Sequence, residues 1–295
     1  MSKPLVLYHG GGCRDGWASA WLMHHAFRGN CELKAVNYSD DDIPDVAGRR
    51  VYIVDFSYPR DVLLRMRHQT KSLLVIDHHK TAAAELADLP FCIFDNEHSG
   101  AYLTWQYLRD HHLIQQEAVY QHTATISISR WIGVGPKGAD VPQLVEYIED
   151  RDLWTFELPE SRAINEYIRS FPLDIETFDR LARMDLLTKV ECGERLVALI
   201  EQQVDIHVSH ASTLRIAGFD VPGVNATVNQ SEVAGRLAAG KPFACVWFDI
   251  AGGKRVYSLR SDPQGIDVSE VAKSLGGGGH KHAAGFTIDS QQVFG

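Results

Sequence analysis

The stretch KSLLVIDHHKT, residues 71–81, joins an apolar run to three ionisable side chains. Leu73 to Ile76 is typical of a buried strand, and the tripeptide Asp77-His78-His79 follows it directly. A carboxylate and two imidazoles brought to one point are costly to desolvate unless a charged partner satisfies them. The stretch therefore predicts a strand that ends at a metal site. A strand that simply ends in solvent would show the same pattern.

Two other apolar runs in the first hundred residues end in the same way. Leu5 to Tyr8 is followed by His9, and Val51 to Val54 is followed by Asp55. In an open parallel sheet, ligands bind at the carboxyl ends of the strands. Three strands that each end in a ligand-type residue therefore predict one shared site at this edge.

Helical patterns separate these strands. We expect helices at 16–27 and 60–68 and a further strand at 91–94. From about 99 to 185 the pattern is mostly helical, and Ser99 is the predicted N-cap of one helix. Such alternation is typical of an α/β fold with a parallel sheet.

The last third of the chain has a different pattern. Residues 176–210 are predicted to form one long helix, because Leu196, Leu199, Ile200 and Val204 share a face. Beyond it we expect strands at 213–217, 224–228, 243–250 and 255–260 and helices at 231–239 and 268–274. The sequence thus predicts a parallel-sheet domain at 1–185, a helical connector at 186–210 and a smaller α+β domain at 211–295.

The composition is that of a globular protein without a basic face. The 295 residues are 45% hydrophobic and 23% charged, with a net charge of -9. Long nucleic acid is usually held by a basic surface, so we expect no long duplex partner and instead a small anionic substrate. No apolar run approaches the roughly 20 residues needed to span a bilayer, and the five scattered cysteines include no CxxC pair. We expect a cytoplasmic protein without a membrane partner, and a homodimer is compatible with the sequence.

The motifs and their order resemble the DHH phosphoesterase superfamily. HGGGCRDG (9–16), YIVDFS (52–57) and DHH (77–79) look like its first three motifs, and EDRDLW (149–154) supplies the aspartate of the fourth. SLGGGGHKHAAGF (274–286) looks like the glycine-rich motif of the small domain that accompanies DHH domains. The resemblance covers nearly the whole chain and implies a catalytic metal-binding domain followed by a substrate-binding domain.

The resemblance implies a site for two divalent ions, usually Mn²⁺, with Mg²⁺ or Co²⁺ as alternatives. Two ions about 4 Å apart can clamp a phosphoryl group and deprotonate a water molecule that attacks phosphorus. Carboxylates combined with imidazole suit Mn²⁺. The expected ligands are His9 and Asp55 for the first ion and, for the second, Asp15, Asp55, His78 and one of Asp150 and Asp152.

Three residues of these motifs have other implied roles or leave their role open. His79 would contact a phosphate oxygen or the leaving oxygen. Asp77 would either orient an imidazole or bind an ion itself. Cys13 stands where many members have an aspartate ligand. It could bind as a thiolate and favour softer ions, leave one ion weakly held, or belong to a site that recruits an ion with substrate.

Successive glycines at 276–279, followed by His280, predict an anion-binding nest, with a helix N-terminus beside it. A flexible linker is the alternative. The resemblance implies that this loop contacts the substrate, and Arg260 is a second candidate for phosphate or base contact. The expected substrate-binding residues are Arg260, Gly277, Gly278, Gly279 and His280.

These features predict a metal-dependent phosphoesterase that hydrolyses phosphodiester bonds of nucleotides or short oligonucleotides. Aromatic residues outnumber basic clusters near the motifs, which favours a nucleotide. Two alternatives stay open: a phosphoanhydride hydrolase of the exopolyphosphatase type, and a nucleotide-binding regulator without turnover.

Overall fold

A computed structural model of the protein describes residues 2–38, 43–113 and 141–291. The chain forms two compact units, Met1–Leu196 and Val197–Gly295. The boundary between them lies inside the helix that the sequence patterns assigned to a separate connector. Among the described helices, none combines the length and the apolar character needed to cross a membrane.

A five-stranded parallel sheet with the order β2–β1–β3–β4–β5 forms the centre of the first unit. Its strands are β1 (Leu5–His9), β2 (Glu32–Val36), β3 (Arg50–Val54), β4 (Ser72–Asp77) and β5 (Cys92–Phe94). Its helices are α1 (Arg14–Ala26), α2 (Arg60–Gln69), α3 (Lys80–Leu86), α4 (Gly100–Asp110), α5 (Gln143–Asp152), α6 (Ser161–Arg169) and α7 (Ile175–Arg183). The predicted parallel α/β fold is confirmed.

Apolar side chains are buried on both faces of this sheet, which explains why its central strands are almost continuously apolar. Val6 and Val54 belong to one core cluster, together with Trp105 of α4. Their neighbours Leu7 and Ile53 point the other way and belong to a second cluster, which includes residues of α2.

The strand order changes direction between β1 and β3. The chain passes from β1 to β2 on one side and then to β3 on the other. At such a switch point the carboxyl ends of the strands diverge and leave a crevice. The register pairs Tyr8 with Val54, so the next residues, His9 and Asp55, stand at the mouth of this crevice.

The second unit contains a six-stranded sheet with the order β10–β11–β9–β8–β7–β6, in which only β7 and β8 are parallel. The helix α8 (Leu186–Ser209) leads into it. Its other elements are β6 (Ser212–Ile216), β7 (Phe219–Asn225), α9 (Gln230–Ala238), β8 (Ala244–Ile250), β9 (Lys254–Arg260), α10 (Val268–Ser274), β10 (Gly278–His280) and β11 (Ala283–Asp289). The predicted smaller α+β part is therefore present.

The single helix predicted over 176–210 is wrong, because two helices, α7 and α8, occupy this range. Met184 is extended, with φ -72° and ψ 140°. The carboxylate of Asp185 accepts hydrogen bonds from the backbone N–H of Thr188 at 2.8 Å and from its hydroxyl at 2.9 Å. This N-cap starts a new helix although the apolar face continues across the break.

Several elements lack the pattern that would predict them. The edge strand β2 contains exposed charged residues and no apolar run, and α3, β10 and β11 were not predicted. The strand expected at 224–228 instead covers Phe219–Asn225. The part of the predicted helical region at 114–140 lies outside the described residues.

The glycine-rich stretch is neither a linker nor the start of a helix. Gly276 follows the end of α10 with φ 81°, the left-handed conformation that favours glycine after a helix. A Cβ on Gly277 would lie 2.0 Å from the carbonyl oxygen of Gly285. Gly278 to His280 forms β10, so the expected helix N-terminus beside His280 is wrong.

Replacing Gly277 by alanine should destabilise the protein by about 1–3 kcal/mol, because the new Cβ forces β10 away from β11. Gly235 in α9 is the matched control, since a Cβ there meets no atom within 4 Å. Gly235→Ala should stabilise by about 0.5–1 kcal/mol through helix propensity. Thermal unfolding of both variants measures the difference. Equal midpoints would show that β10 is not packed as described.

Lys189 is buried near the start of α8, and its Nζ donates to the carbonyl oxygen of Met184 at 2.9 Å. Burial lowers the pKa of Lys189 to about 8. Between this pKa and the ordinary value the unfolded chain binds more protons than the folded one, so stability should rise with pH across about 8 to 10.5.

Lys189→Met removes this titration. At pH 7 the variant should be more stable than the wild type by up to about 3 kcal/mol, less the cost of the lost hydrogen bond. The difference should shrink as the pH rises towards 10. Urea unfolding at pH 7 and pH 10 tests this, and a pH-independent difference would contradict it.

Candidate metal centre

The carboxylate of Asp55 lies between two groups of ligand-type side chains. Its Oδ2 is 3.4 Å from Nδ1 of His9 and 3.3 Å from Sγ of Cys13. Its Oδ1 is 3.1 Å from Nε2 of His78. One carboxylate therefore faces two neighbouring clusters, one with each oxygen.

The backbone at Asp55 is in the left-handed region, with φ 55°. This conformation is uncommon outside glycine and costs of order 1 kcal/mol or more, although aspartate tolerates it better than most residues. The backbone N–H of Asp55 still donates to the carbonyl of Ile76 at 2.9 Å, which fixes the turn against β4.

The second cluster surrounds Nε2 of His78. Besides Asp55, it lies 3.4 Å from Oδ2 of Asp152 and 3.8 Å from Oδ2 of Asp15. The histidine directly follows β4, Asp15 belongs to α1, and Asp152 is the last residue of α5. The side chains come from separate elements that meet at the carboxyl edge of the sheet.

Asp15 also closes the N-terminus of another helix. Its Oδ2 accepts from the backbone N–H of Gly100 at 2.7 Å, and its Oδ1 accepts from that of Ala101 at 3.0 Å. Burial, together with the charges of Asp55 and Asp152, raises the pKa of Asp15 well above its usual range. A carboxyl group in this position needs a nearby cation to remain ionised.

The charged groups of the two clusters shift one another's pKa values. Burial alone would raise the pKa of Asp55, but His78 and His9 outweigh it and hold this pKa well below the usual range. Burial alone would lower the pKa of His78, since it disfavours the charged imidazolium. The negative charges of Asp55, Asp152 and Asp15 outweigh burial and raise this pKa well above its ordinary value. A positive charge on the His78 imidazole is therefore favoured among these carboxylates.

Asp150 and Asp152 face different surroundings. The carboxylate of Asp150 accepts from the Thr155 hydroxyl at 2.7 Å and from the backbone N–H groups of Glu157 and Leu158 at 2.8 and 3.2 Å. It therefore holds the turn after α5. Asp152 instead points to His78. Of the two predicted candidates, only Asp152 lies with the other ligand-type residues.

Asp77 supports the two histidines that follow it. Its Oδ1 lies 2.7 Å from Nδ1 of His79 and accepts from the backbone N–H of His78 at 2.7 Å, and its Oδ2 accepts from Ser57 Oγ at 2.6 Å. Since both oxygens are already engaged, this arrangement favours the orienting role over direct ligation. Burial lowers the pKa of His79, but the charge of Asp77 raises it overall.

Cys13 is the N-cap of α1, and its Sγ accepts from the backbone N–H of Gly16 at 3.4 Å. Burial, followed by the charges of Asp55, Asp152 and Asp15, raises the pKa of the thiol well above its ordinary value. It is thus a neutral thiol in these surroundings, and only a bound cation could make it a thiolate. The alternatives for its role stay open.

The donor set fits divalent ions. Two groups of side chains each place their ligand atoms within 4.8 Å of one another. The first group is His9, Cys13 and Asp55, and the second is Asp15, His78 and Asp152. Oδ1 of Asp55 is buried and accepts no hydrogen bond of good geometry from the described residues. Buried carboxylates without such partners are expected where a metal ion completes the site.

Some supporting residues gave no signal in the sequence analysis. Gly100 permits close approach, because a Cβ there would lie 2.6 Å from the Cβ of Asp55. Gly16 does the same for β1, since its Cβ would lie 2.3 Å from the carbonyl oxygen of His9. Ser57, only two residues after Asp55, supports Asp77. Such roles depend on distances that sequence spacing does not give.

The predicted substrate-binding residues of the second unit lie on neighbouring strands. Ala283 of β11 pairs with Arg260 of β9 on one side and with His280 of β10 on the other. Directly paired residues point to the same face of a sheet, so Arg260 and His280 flank a small alanine. Arg260 also donates to Ser231 Oγ at 2.6 Å. Gly277, Gly278 and Gly279 lie beside this face in the run that leads into and forms β10.

The chain matches one family domain and is similar to known proteins. Residues 223–294 match the DHHA1 domain. Oligoribonuclease NrnB of Bacillus subtilis (strain 168) is 25% identical over 236 residues, which is 76% of this chain and 55% of NrnB. The predicted resemblance to the DHH phosphoesterase superfamily is confirmed. The match to the DHHA1 domain falls on the glycine-rich stretch and its sheet, and the ligand-type residues described above lie on the DHH motifs.

Two further comparisons concern one curated relative and one solved structure. An uncharacterized protein of Acanthamoeba polyphaga mimivirus is 25% identical over 316 residues, covering 96% of this chain and 67% of that protein. The chain thus spans about two thirds of one curated relative and about half of the other. The structure of an exopolyphosphatase-related protein from Bacteroides fragilis has a TM-score of 0.51 at 14% identity, over 97% of this chain and 86% of that one, and shares the fold.

The contrast between the two aspartates of α5 can be tested directly. Asp152→Asn should weaken Mn²⁺ binding at least about tenfold, because it removes a charged ligand, and should not lower stability without metal. Asp150→Asn should leave Mn²⁺ affinity near that of the wild type and destabilise by about 1–3 kcal/mol, because it leaves buried donors of the turn unsatisfied. Calorimetric Mn²⁺ titration and thermal unfolding in chelator measure both. The reverse pattern would mean that the two residues had been assigned the wrong way round.

Proposed function

We propose that this protein is a divalent-metal-dependent phosphodiesterase that hydrolyses nucleotides or short oligonucleotides. The position of Asp55 carries the proposal. Its Oδ2 faces His9 and Cys13, and its Oδ1 faces His78. Such a position is expected for a carboxylate that two ions share. Sites of this kind are common in enzymes that cleave phosphate esters.

The residues would divide into two ligand sets. His9, Asp55 and, as one alternative, Cys13 would hold the first ion. Asp15, Asp55, His78 and Asp152 would hold the second. Ions bound there would stabilise charge on the phosphoryl oxygens and lower the pKa of a water molecule. The oxygen-rich set with one imidazole for each ion suits Mn²⁺, and a thiolate from Cys13 would shift the preference towards softer ions.

His79 would act on the substrate itself. Asp77 engages its Nδ1, so contact with a phosphate oxygen or the leaving oxygen would be made through Nε2. Because Asp77 raises the pKa of His79, the ring is favoured in its protonated form. An imidazolium can donate to a phosphate oxygen and can pass its proton to the oxygen that leaves when the P–O bond breaks.

A nucleotide substrate is supported by the relative NrnB, an oligoribonuclease by name. The net charge of -9 argues against a long nucleic acid held by a broad basic surface. In the second unit, we propose that Arg260 and His280 bind a phosphate or base of the substrate, with Gly277 to Gly279 keeping the backbone at this face close-packed.

A substrate panel tests this function. The purified protein would be incubated with Mn²⁺, Mg²⁺ or Co²⁺ and with short RNA, a cyclic dinucleotide, a nucleoside 3′,5′-bisphosphate or polyphosphate. We expect hydrolysis of the short RNA and the greatest activity with Mn²⁺. Turnover of polyphosphate alone would replace the proposal by a phosphoanhydride hydrolase. Nucleotide binding without any turnover would indicate a regulator.

Asp55→Asn should lower kcat at least about a thousandfold and reduce bound Mn²⁺, since the shared charge is lost while the shape and the tolerated backbone are kept. Asp61→Asn is the matched control, because the Asp61 carboxylate is exposed and forms a surface ion pair with Arg65 at 2.6 Å. Its activity should equal that of the wild type. An active Asp55→Asn protein with full metal content would disprove the shared-ligand role.

A further inference from the structure

A histidine–glutamate pair lies beside the metal centre without belonging to it. Nδ1 of His98 is 2.7 Å from Oε1 of Glu149. The glutamate is 1% exposed, whereas the histidine side chain is 30% exposed. A carboxylate this deeply buried needs a strong partner, so the pair is held together firmly.

Two contacts fix the ring of His98. Glu149 engages one nitrogen, and the ring stacks on Tyr102 with centroids 3.9 Å apart and planes 7° apart. Among the described residues, Nε2 of His98 has no hydrogen-bond partner, and it is not a buried atom. The ring therefore presents one oriented nitrogen to its surroundings.

Both halves of the pair are close to the metal centre. Gly100, which donates to Asp15 and contacts Asp55, is two residues after His98. Consecutive Cα atoms are 3.8 Å apart, so the Cα of His98 lies within about 8 Å of that of Gly100. Glu149 is three residues before Asp152 on α5, which places both on one side of the helix.

The surroundings determine what Nε2 can bind. An ionised carboxylate only accepts, so Nδ1 donates to Glu149 and Nε2 is the nitrogen left for another hydrogen-bond partner. The surroundings are negative: after burial, the charges of Glu149, Glu146 and Asp95 raise the pKa of the adjacent Tyr102 hydroxyl, although Arg109 lowers it. A phosphate oxygen is disfavoured here, whereas a neutral hydroxyl, which can both donate and accept, is favoured.

We propose that Nε2 of His98 forms a hydrogen bond with the 2′-hydroxyl of a substrate ribose, with Glu149 as the positioning residue of His98. The substrate class is thereby narrowed to ribonucleotides, because a 2′-deoxyribose lacks this hydroxyl. This inference rests on the proposed action on nucleotides. It assigns a subsite for the sugar, next to the centre that acts on the phosphate.

Binding of two nucleotides that differ only at the 2′ position tests the role of His98. AMP and dAMP would be titrated calorimetrically into the full chain with Mn²⁺. We expect the wild type to bind AMP about 3- to 10-fold more tightly, the effect of one hydrogen bond. His98→Phe, which keeps a ring to stack on Tyr102, should bind both with the dAMP affinity of the wild type. Glu149→Gln should show a smaller preference than the wild type.

His111→Ala is the matched control, because His111 also stands beside a tyrosine of α4 but at the far end of that helix. It should keep the full preference for AMP. Equal affinities of the wild type for AMP and dAMP, or an unchanged preference in His98→Phe, would overturn the inference. If short RNA is still hydrolysed in that case, the proposed function stands. Absence of binding of either nucleotide to the Mn²⁺-loaded protein would overturn both.

Discussion

The rest of the candidate metal centre depends on the position of the Asp55 carboxylate between two clusters of ligand-type side chains. This carboxylate lies close to His9 at the end of β1 and to His78, which follows β4. Asp55 itself follows β3 and has a left-handed backbone. The left-handed turn directly after β3 places this group at the mouth of the crevice between β1 and β3. The parallel sheet and its switch point therefore serve to hold one side chain between two clusters.

Two glycines allow the helices to come close enough. Gly16 lets α1 lie against the backbone of β1, and Gly100 lets the start of α4 lie against Asp55. The approach of α4 also places its N-terminal N–H groups on Asp15, which would otherwise face other carboxylates. The contacts that pack α4 closely against the centre therefore also offset part of its negative charge, because the N-terminus of a helix is partly positive.

The strand ends and their ligand-type residues could be predicted from the sequence, because a buried parallel strand is a short apolar run and its last residue stands out. Two features could not be predicted, because they depend on side-chain directions that packing fixes. They are the hydrogen bond between Asp77 and His79 and the different directions of Asp150 and Asp152. The break at Asp185 was missed because a single N-cap outweighs a continuous apolar face. The structure of the glycine run could not be predicted for a related reason. Gly277 and Gly279 lie in close contact with β11, and no local sequence pattern indicates these contacts.

The ligand-type residues are far apart in the chain. Asp15 and Asp152 meet at His78 although more than a hundred residues separate them, and Arg14 donates to the carbonyls of Arg169 and Phe171. Such contacts can form only when the long loops between them have closed. Until α5 and α6 have docked, the aspartates would therefore stand apart. A cation that binds through all of them would do so only on the folded chain, and an incompletely folded chain would lack the candidate centre.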